Sequence, residues 1–523
     1  MADRKAVVPL VLGLAADDAP AEACEGYIRA ALSEIVTELR AAHPHTPLLA
    51  LCTLASAGEL VAARTALALG IPIACLAPPA GDTISAPPAD LLDACQDRWS
   101  PDPSFEAHYA PYAAEAHVAH YSDLLVAFGA PPQDGSRLAA VVTLRDRGRF
   151  PGRRARGRIL DPPDVGPYRR VVPGPDQTYA VERFFPARYT GDGTSERDAA
   201  FALRRLDEFN ADVRAGAPDD DSLLSESLEL AADAYANELQ AHVVFWQRFL
   251  YWAAFVAATA QFILPKTRAA ALIDIGTVAV AFAAYLIAQP AKYQGRYQDC
   301  RALSEGLRVQ SAWSRAGVAG SVAEAYLRMQ QTELQWIRSV LRTVALLQRR
   351  AMADPARDRE AVAAWVTGQR TYFRNASQRE ARRERTVTRW AALLTPVNAI
   401  LGVAIFVFVA ITGINPVVPG LSTPDNRYTL EILVGTFAGW AALSATALHS
   451  YARTRGFSEN ANRYERMYLM FDEASLWLSG EAGRPLVEVR ELAAELGREA
   501  LAEHAEWLLA QRERPIRVVH VGA

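Results

Sequence analysis

Four long apolar stretches constrain this chain more than any other feature of its sequence. They cover residues 249–264, 269–289, 390–414 and 430–451 of 523. A helix needs about 20 predominantly apolar residues to cross a hydrocarbon core of roughly 30 Å. The last two stretches meet that length, and the first does so once residues 243–248 are added as an interfacial turn. The alternative is that each pair is a buried hairpin of a soluble protein. We favour four transmembrane helices in two hairpins.

Basic residues orient these hairpins. Five arginines precede the third stretch and two follow the fourth, whereas the Pro-rich loop at 415–429 carries only Arg427 against Asp425. The positive-inside rule then puts both ends of this hairpin in the cytoplasm. An even number of spans keeps the rest of the chain on the same side. The sequence predicts a multi-pass protein of the inner (cytoplasmic) membrane with both termini cytoplasmic.

Two acids lie near the starts of predicted spans. Asp274 begins the second and Glu431 begins the fourth. Polar groups in a span are costly, so they indicate function or a special position. One interpretation is an acid favoured by the positive helix N-terminus near the interface. The other is a pore-lining or proton-binding role.

Composition excludes several functional classes. The formal net charge is −4, which gives no reason to expect nucleic acid as a partner. Five cysteines lack C-x-x-C spacing, which is typical of reduced buried thiols and not of disulfides or a zinc site. The apolar run at 6–13 is too short for a signal peptide and is predicted to be a first strand. No metal and no cofactor are predicted.

Residues 1–150 alternate between apolar strands and helices. The strands are expected at 7–13, 47–54, 71–77 and 123–129, with helices at 21–42, 56–70 and ending at 117–122. Unbroken apolar strands separated by helices predict an α/β, doubly wound parallel sheet covered on both faces. Such sheets bind ligands at the carboxyl ends of their strands. The relevant loops here are 13–18, 54–59 and 129–137.

The order of these segments resembles a known superfamily. LASAGELVAARTALALGIPIACLAPP at 54–79 is followed by YSDLLVAFG at 121–129 and by a small-residue turn before the apolar residues 139–142. This resembles the SLOG superfamily, Rossmann-like domains related to cytokinin-activating LOG phosphoribohydrolases and DprA-type proteins. The resemblance implies a ligand site at the strand exits. Its candidate residues are Gly13, Gly58, Glu59, Gly129, Gly135, Ser136 and Arg137.

This sequence departs from the enzymatic members at the phosphate turn. LOG enzymes use Gly-Gly-x-Gly-Thr followed by Glu, where backbone N–H groups and a helix N-terminus hold phosphate. Residues 134–138 are Asp-Gly-Ser-Arg-Leu instead, without paired glycines or a following glutamate. Arg137 could meet a phosphate or be solvated. We therefore expect a binding or sensing head more than an enzyme, with no catalytic residue assigned.

Residues 151–218 form a basic, Pro- and Gly-rich excursion, and 150–220 is predicted to be loop-like. A basic run at its start consists of Arg149, Arg153, Arg154, Arg156 and Arg158. These arginines are either solvated or lie against anionic lipid headgroups.

The helical remainder divides at residue 374. Residues 219–374 hold a coupling helix, the first hairpin and cytoplasmic helices, and 375–523 hold the second hairpin and terminal helices. Both parts carry an Arg-Tyr pair after the hairpin, with an acid eight residues beyond the tyrosine, which indicates a weak duplication. Helical spacing of apolar residues over 322–350 indicates core or an oligomer interface.

The second part resembles the SLATT family of bacterial two-helix membrane domains, which associate with SLOG domains. The matching features are the hairpin, ANRYERMY at 461–468 and the terminal helix at 499–516. In that helix Glu499, Glu503 and His504 are interpreted as a solvated acidic face, with a metal cluster as the alternative.

Three functional hypotheses follow. The first is a membrane sensor or effector of a stress or antiphage response. Its head would bind a nucleotide second messenger, and helices of a homo-oligomer would reorganise in membrane lipid. The second is a membrane-tethered nucleotide N-glycosidase or phosphoribohydrolase with Glu59 as its acid. The third is a transporter or channel, which is disfavoured because no span carries paired charges or a broken-helix pattern.

Overall fold

The chain folds into two compact units formed by interleaved segments. Unit 1 comprises Met1–Tyr235, Asp299–Val362 and Pro485–Glu506, and unit 2 comprises Ala236–Gln298, Ala363–Arg484 and Trp507–Ala523. The structure is a computed structural model that describes residues 5–16, 21–76, 87–99, 113–129, 169–173, 180–184, 195–213, 215–216, 223–263, 272, 275–276, 279–280, 282–283, 290–327, 334–348, 355–414, 444–453, 455–480 and 484–512.

Unit 1 contains a mixed seven-stranded sheet and a two-stranded one. The strands are β1 (Lys5–Ala6), β2 (Leu10–Ala16), β3 (Leu48–Cys52), β4 (Ile73–Leu76), β5 (Cys95–Trp99), β6 (Leu124–Gly129), β7 (Arg169–Pro173), β8 (Ala180–Phe184) and β9 (Ala215–Gly216). The larger sheet has the order β5-β4-β3-β2-β6-β8-β7. Its first five strands are parallel, whereas β8 pairs antiparallel with β6 and with β7. β1 pairs with β9.

The remainder of the described chain is largely helical. The helices are α1 (Ala21–Ala42), α2 (Ala57–Ala68), α3 (Ala89–Ala94), α4 (Ala113–Tyr121), α5 (Ser195–Asp212), α6 (Leu224–Ile263), α7 (Pro290–Ala316), α8 (Gln335–Leu347), α9 (Pro355–Ile414), α10 (Phe457–Gly480) and α11 (Leu486–Arg512). A 3₁₀ helix covers Val322–Glu324 and residues 444–453 are also helical. The prediction of an N-terminal parallel-sheet domain with a helical remainder is confirmed.

The central strands are buried on both faces, as their unbroken apolar sequences predict. Every residue of β2 is buried, and so is every residue of β3 and β4. Alternate side chains of a strand point to opposite faces. Val11 and Ala15 therefore share one face of the sheet, where they form a core cluster with α4 and with Leu346 of α8. Helix α2 contacts β2, β3 and β4, and α1 packs against α2.

Three strands (β7, β8 and the short β9) and a helix lie where the sequence suggested a loop. The expectation of a loop-like segment at 150–220 is wrong over β7, β8 and α5. α5 buries Leu203, Leu206 and Phe209 along one side, and Phe209 packs against Trp336 of α8 with ring centroids 5.7 Å apart. The Gly and Pro content of the neighbouring residues concealed this helical periodicity.

α5 is also tied to the amino end of the sheet. The side-chain amide of Asn210 pairs with the backbone of Val8: its Oδ1 accepts from Val8 N at 3.1 Å and its Nδ2 donates to Val8 O at 2.9 Å. Asp207 accepts from the hydroxyl of Thr46 at 2.8 Å. The buried backbone of Val8 before β2 and the hydroxyl of Thr46 before β3 are thereby satisfied by a helix that follows much later in the sequence.

Unit 2 is dominated by long helices. α9 runs for 60 residues, and within the described residues one segment, Arg357–Ala404, is long and apolar enough to cross a membrane. α9 packs on α10 through aromatic contacts. The rings of Trp365 and Phe471 lie 5.6 Å apart, and those of Phe373 and Phe471 5.7 Å apart. Most of 269–289 and of 430–443 lies outside the described residues, so the predicted count of four spans is not confirmed.

Candidate functional site

The parallel sheet has a topological switch point between β2 and β6. The chain leaves β2 towards β3 on one side, while β6 lies on the other side of β2. Ala16 and Phe128 are paired at the carboxyl ends of these strands, and Gly129 follows with φ +154°. Ligands of open α/β sheets bind outside the carboxyl ends at such a point. The candidate site is therefore the carboxyl edge at β2, β3 and β6.

The turn from β3 into α2 forms one side of this edge. Ser56 is the N-cap of α2: its hydroxyl oxygen accepts from Glu59 N at 3.0 Å and donates to the carbonyl of Ala16 at 2.8 Å. Oε2 of Glu59 accepts from the hydroxyl of Thr53 at 2.6 Å and from Ala55 N at 3.1 Å. This variant of a capping box joins the start of α2 to the end of β2.

Leu54 in the same turn has an unusual backbone conformation. Its φ is +56°, in the left-handed region that a branched aliphatic residue rarely adopts, and its side chain is buried. Backbone strain of this kind costs about 1–3 kcal/mol and clusters at ligand and active sites. The strain lies directly beside the carboxyl edge.

The candidate residues of the sequence occupy different positions relative to this edge. Gly58 and Glu59 lie in the first turn of α2, and Gly129 ends β6. Gly13 lies inside β2, where a Cβ would fall 2.7 Å from Cβ of Ser122, so its small size serves packing between β2 and the residue before β6. Gly135, Ser136 and Arg137 lie outside the described residues, as do Asp274 and Glu431.

The carboxylate of Glu59 is fixed by hydrogen bonds from the β3–α2 turn. It is 5% exposed, and one of its carboxylate oxygens already serves two donors of the β3–α2 turn. A general acid needs to reach the substrate with its proton. The hydrogen bonds of Glu59 support a structural role in shaping the edge.

The thiols near this region are buried and protonated. Cys52 and Cys75 are neighbours in register on β3 and β4. Burial raises the pKa of the Cys52 thiol well above its usual range, and burial together with a hydrogen bond to Cys95 raises the pKa of Cys75 to about 12. The thiolate is the nucleophilic form of cysteine, so these thiols are unsuited to covalent catalysis at neutral pH.

A second feature of unit 1 is an ion-pair ladder between α6 and α7, which sequence reasoning missed. Its three rungs pair an acid of α6 with an arginine of α7: Glu226–Arg315, Glu229–Arg308 and Asp233–Arg301. The acids are three and four residues apart and the arginines seven, in antiparallel order. The seven-residue spacing of the arginines was the sequence signal that could have identified this α6–α7 ladder.

Glu305 lies within this ladder. It contacts Arg301 and Arg308 of its own helix, each at 2.9 Å. Burial would raise the pKa of Glu305, but the charges of Arg308 and Arg301, assisted by His504, outweigh burial and lower it to about 2. Glu305 therefore stays ionised and holds two arginines in line for their partners on α6.

The terminal helix α11 joins the same region through His504. The hydroxyl of Tyr326 lies 2.8 Å from His504 Nδ1 and 3.1 Å from the carbonyl oxygen of Ala302. This places His504 against a buried tyrosine and not on a solvated acidic face. Among the described residues no group of three His, Cys, Asp or Glu side chains is arranged to hold a metal ion.

Helix α4, which packs on the sheet, is linked to the 3₁₀ helix and to α8 by a second group of charged side chains. Nε2 of His120 lies 3.2 Å from Glu324, and Nε of Arg342 lies 3.1 Å from the same carboxylate oxygen. Burial acts to raise the pKa of Glu324, but His120 and Arg342 lower it well below its usual range. The sheet and the segments 322–324 and 335–347 are thus connected by charge as well as by Leu346.

In unit 2 the described side chains in the apolar part of α9 are not covered by protein. None of its described side chains between 381 and 407 is buried. The exposed large apolar side chains are Trp390, Leu393, Val397, Ile400, Val403 and Val407. A soluble protein rarely exposes an apolar surface of this extent.

Comparison with protein-family models, with curated proteins and with solved structures found no match. The resemblances to SLOG and SLATT proteins stay predictions.

Proposed function

We propose that this protein is a multi-pass sensor or effector of the cytoplasmic membrane, whose α/β unit binds a nucleotide-derived ligand and controls its membrane helices. The observation that carries this proposal is α6. It is one continuous helix whose residues 224–235 belong to unit 1 and whose residues 236–263 belong to unit 2 and become apolar. A conformational change in unit 1 could therefore be transmitted along α6 to its apolar residues.

The α6–α7 ladder supports this coupling. α6 enters the first predicted hairpin and α7 leaves it, so three ion pairs fix the spacing of the two helices where they join unit 1. Their side chains are partly buried, which makes them stronger than fully exposed pairs. We infer that displacement of α6 along α7 would require exchanging or breaking these pairs as a set, which gives two discrete arrangements.

The ligand class follows from the edge of the sheet. Open α/β sheets bind ligands at a switch point such as the one between β2 and β6, and the N-terminus of α2 supplies partial positive charge beside it. Both suit a phosphate-bearing ligand such as a nucleotide. A ligand shifts the protein between two states only by the difference of its affinities for them, so a few contacts at this edge suffice.

The exposed helix α9 supports the membrane part of the proposal. We infer that ligand-dependent association of several chains produces a membrane-disrupting or conducting assembly. Membrane helices associate through close packing, which G-x-x-x-G at 435–439 would permit.

The test measures the unfolding temperature of the full chain in mild detergent with cyclic and linear nucleotides. A specific rise supports the proposal, because a ligand that binds the folded state stabilises it. Ala57→Asp provides the site variant, since an acid is tolerated in the first turn of α2 but repels an anionic ligand. Val487→Asp adds the same charge to the first turn of α11 and serves as control.

Three outcomes of this experiment distinguish a ligand at the carboxyl edge, a ligand elsewhere and no ligand. Loss of the shift in Ala57→Asp but not in Val487→Asp places the ligand at the carboxyl edge. A shift retained in both variants would move the ligand elsewhere. A well-folded protein with no shift across the panel argues against ligand sensing.

A further inference from the structure

A cluster of exposed arginines lies immediately before the apolar part of α9. These residues are Arg379, Arg382, Arg383, Arg385 and Arg389, and all are exposed or largely so. Arg383 pairs with Glu380 at 2.6 Å. Among the described residues, Arg382, Arg385 and Arg389 have no ion-pair partner. Within the described part of the chain, three cations therefore stand on one helix without an anionic side chain to neutralise them.

These arginines share a face with the exposed apolar side chains. At 3.6 residues per turn, the five arginines project into an arc of about 160°. Trp390, Leu393 and the four exposed aliphatic residues that follow fall within the same arc, whereas Glu380 and Glu384 point to the other side. A single helix face thus changes from basic to apolar at the step from Arg389 to Trp390.

The dimensions match one headgroup layer followed by the hydrocarbon core of a bilayer. Arg382 to Arg389 covers roughly 10 Å along the helix, and Trp390 to Val407 covers roughly 26 Å. The headgroup region of one leaflet is about 5–8 Å thick and the hydrocarbon core is roughly 30 Å. Trp is enriched at the boundary between them, which is where Trp390 would lie.

We propose that Arg382, Arg385 and Arg389 bind the phosphate headgroups of anionic phospholipids at the cytoplasmic face of the membrane. This inference rests on the membrane insertion of α9 in the proposed function. A guanidinium group donates two parallel hydrogen bonds to a phosphate and is more weakly hydrated than an ammonium group. The net negative charge of phosphatidylglycerol distinguishes it from zwitterionic phosphatidylcholine. The paired donors of arginine should bind its phosphate more tightly than lysine would.

The experiment titrates the full chain in mixed micelles with phosphatidylglycerol or phosphatidylcholine and follows its unfolding temperature. Each basic residue near an anionic surface contributes about 1 kcal/mol. The variant R382Q/R385Q/R389Q is therefore expected to bind phosphatidylglycerol on the order of 100-fold more weakly. Its unfolding temperature in phosphatidylcholine should equal that of the wild type, since all three side chains are exposed.

Matched controls keep the result specific. R204Q/R466Q/R498Q removes three exposed arginines from α5, α10 and α11, and should retain the preference for phosphatidylglycerol. R382K/R385K/R389K keeps the charge but not the paired donors, and should retain only part of it. Inorganic phosphate at equal concentration, which the sheet edge of the proposed function could also bind, should stabilise the wild type clearly less than phosphatidylglycerol does.

Several outcomes would overturn the inference. These are an unchanged lipid preference in the α9 variant, an equal loss in the control triple, and equal stabilisation by inorganic phosphate. Vesicle flotation distinguishes a failure of the arginine–lipid inference from a failure of the proposed function. A chain that inserts into vesicles without preferring anionic lipid defeats only the arginine site, whereas a chain that does not insert defeats both.

Discussion

The backbone at Gly497 lies so close to Trp313 that a Cβ on this glycine would be 2.3 Å from the indole nitrogen. The same nitrogen donates a hydrogen bond of 3.2 Å to the carbonyl of Ala493, one turn earlier in α11. Arg490 of α11 adds a hydrogen bond of 3.1 Å from its Nε to the carbonyl of Ala316. The terminal helix is thus fixed on the end of α7 by contact with backbone, which leaves little room for adjustment.

Gly497→Val is expected to destabilise unit 1. Added atoms in a tightly packed site cost about 1–3 kcal/mol because neighbours must move. Chemical denaturation of the full chain in detergent measures the loss. Gly368→Ala is the control: this helical glycine of α9 has nothing within 4 Å of its Cβ position, so alanine should stabilise by up to about 1 kcal/mol. Equal stability of Gly497→Val and wild type would show that α11 does not pack as described.

The central pair of the α6–α7 ladder should show coupling in a double-mutant cycle. Glu229 and Arg308 meet at 2.8 Å with side chains 17% and 21% exposed. Glu229→Gln and Arg308→Gln are each expected to destabilise, while the double variant loses less than their sum by about 1–3 kcal/mol. Independent effects of the two substitutions would mean that the pair contributes no coupling.

An exposed pair provides the comparison for that cycle. Glu25 and Arg29 form an ion pair on α1 with side chains 40% and 59% exposed. Such pairs contribute below about 1 kcal/mol. The coupling between Glu25 and Arg29 should therefore be clearly smaller than that of the ladder.

Glu305 should make stability depend on acid pH. Its pKa is lowered from 4.5 to about 2 because the charges of Arg308 and Arg301 outweigh burial. A carboxyl whose pKa is lower in the folded than in the unfolded state stabilises the folded protein at pH values above the unfolded-state pKa. This stabilisation is lost as the pH falls towards the folded-state pKa. For Glu305 the loss begins near pH 4.5 and continues towards pH 2. It amounts to up to about 3 kcal/mol. Unfolding temperatures of wild type and Glu305→Gln between pH 6 and 3 measure it, and parallel profiles would contradict it.

Glu59→Ala should destabilise the β3–α2 turn. The substitution leaves the hydroxyl of Thr53 and the N–H of Ala55 without their acceptor, which costs about 1–3 kcal/mol. Glu59→Gln retains an oxygen that can accept from these donors and should lose under about 1 kcal/mol. Thermal unfolding distinguishes the two. A Glu59→Ala variant as stable as the wild type would contradict the structural role of Glu59 in the β3–α2 turn. Glu59 would then again be a candidate general acid.

The sequence predicted the local parts of this fold well. Apolar strands, their parallel order and the helix at 21–42 follow from periodicity, because each depends on neighbours in sequence. The cover of the sheet could not be predicted in the same way. Leu346 reaches the core cluster from a helix more than 200 residues beyond β6, and its amphipathic pattern is equally compatible with an oligomer interface.

The site was predicted less completely. The exits of β2, β3 and β6 were identified because parallel sheets bind ligands there, but the packing role of Gly13 and the left-handed Leu54 depend on tertiary contacts. The α6–α7 ladder depends on the separation of two helices that are distant in sequence. The spacing of the charged residues could indicate which face of each helix is charged, but not which acid of α6 pairs with which arginine of α7.

The late position of α8 in the chain has a consequence for synthesis. The ribosome completes all strands of the sheet before residue 217, yet the core face that Leu346 covers stays open until α8 has left the exit tunnel. The first apolar hairpin is translated in this interval. Contacts between segments so distant in sequence form slowly, and incomplete cores expose surface that aggregates. Completion of this core cluster is thereby made dependent on translation past the predicted hairpin. A chain truncated between residues 217 and 335 would lack Leu346 in a cluster that the sheet and α4 otherwise form.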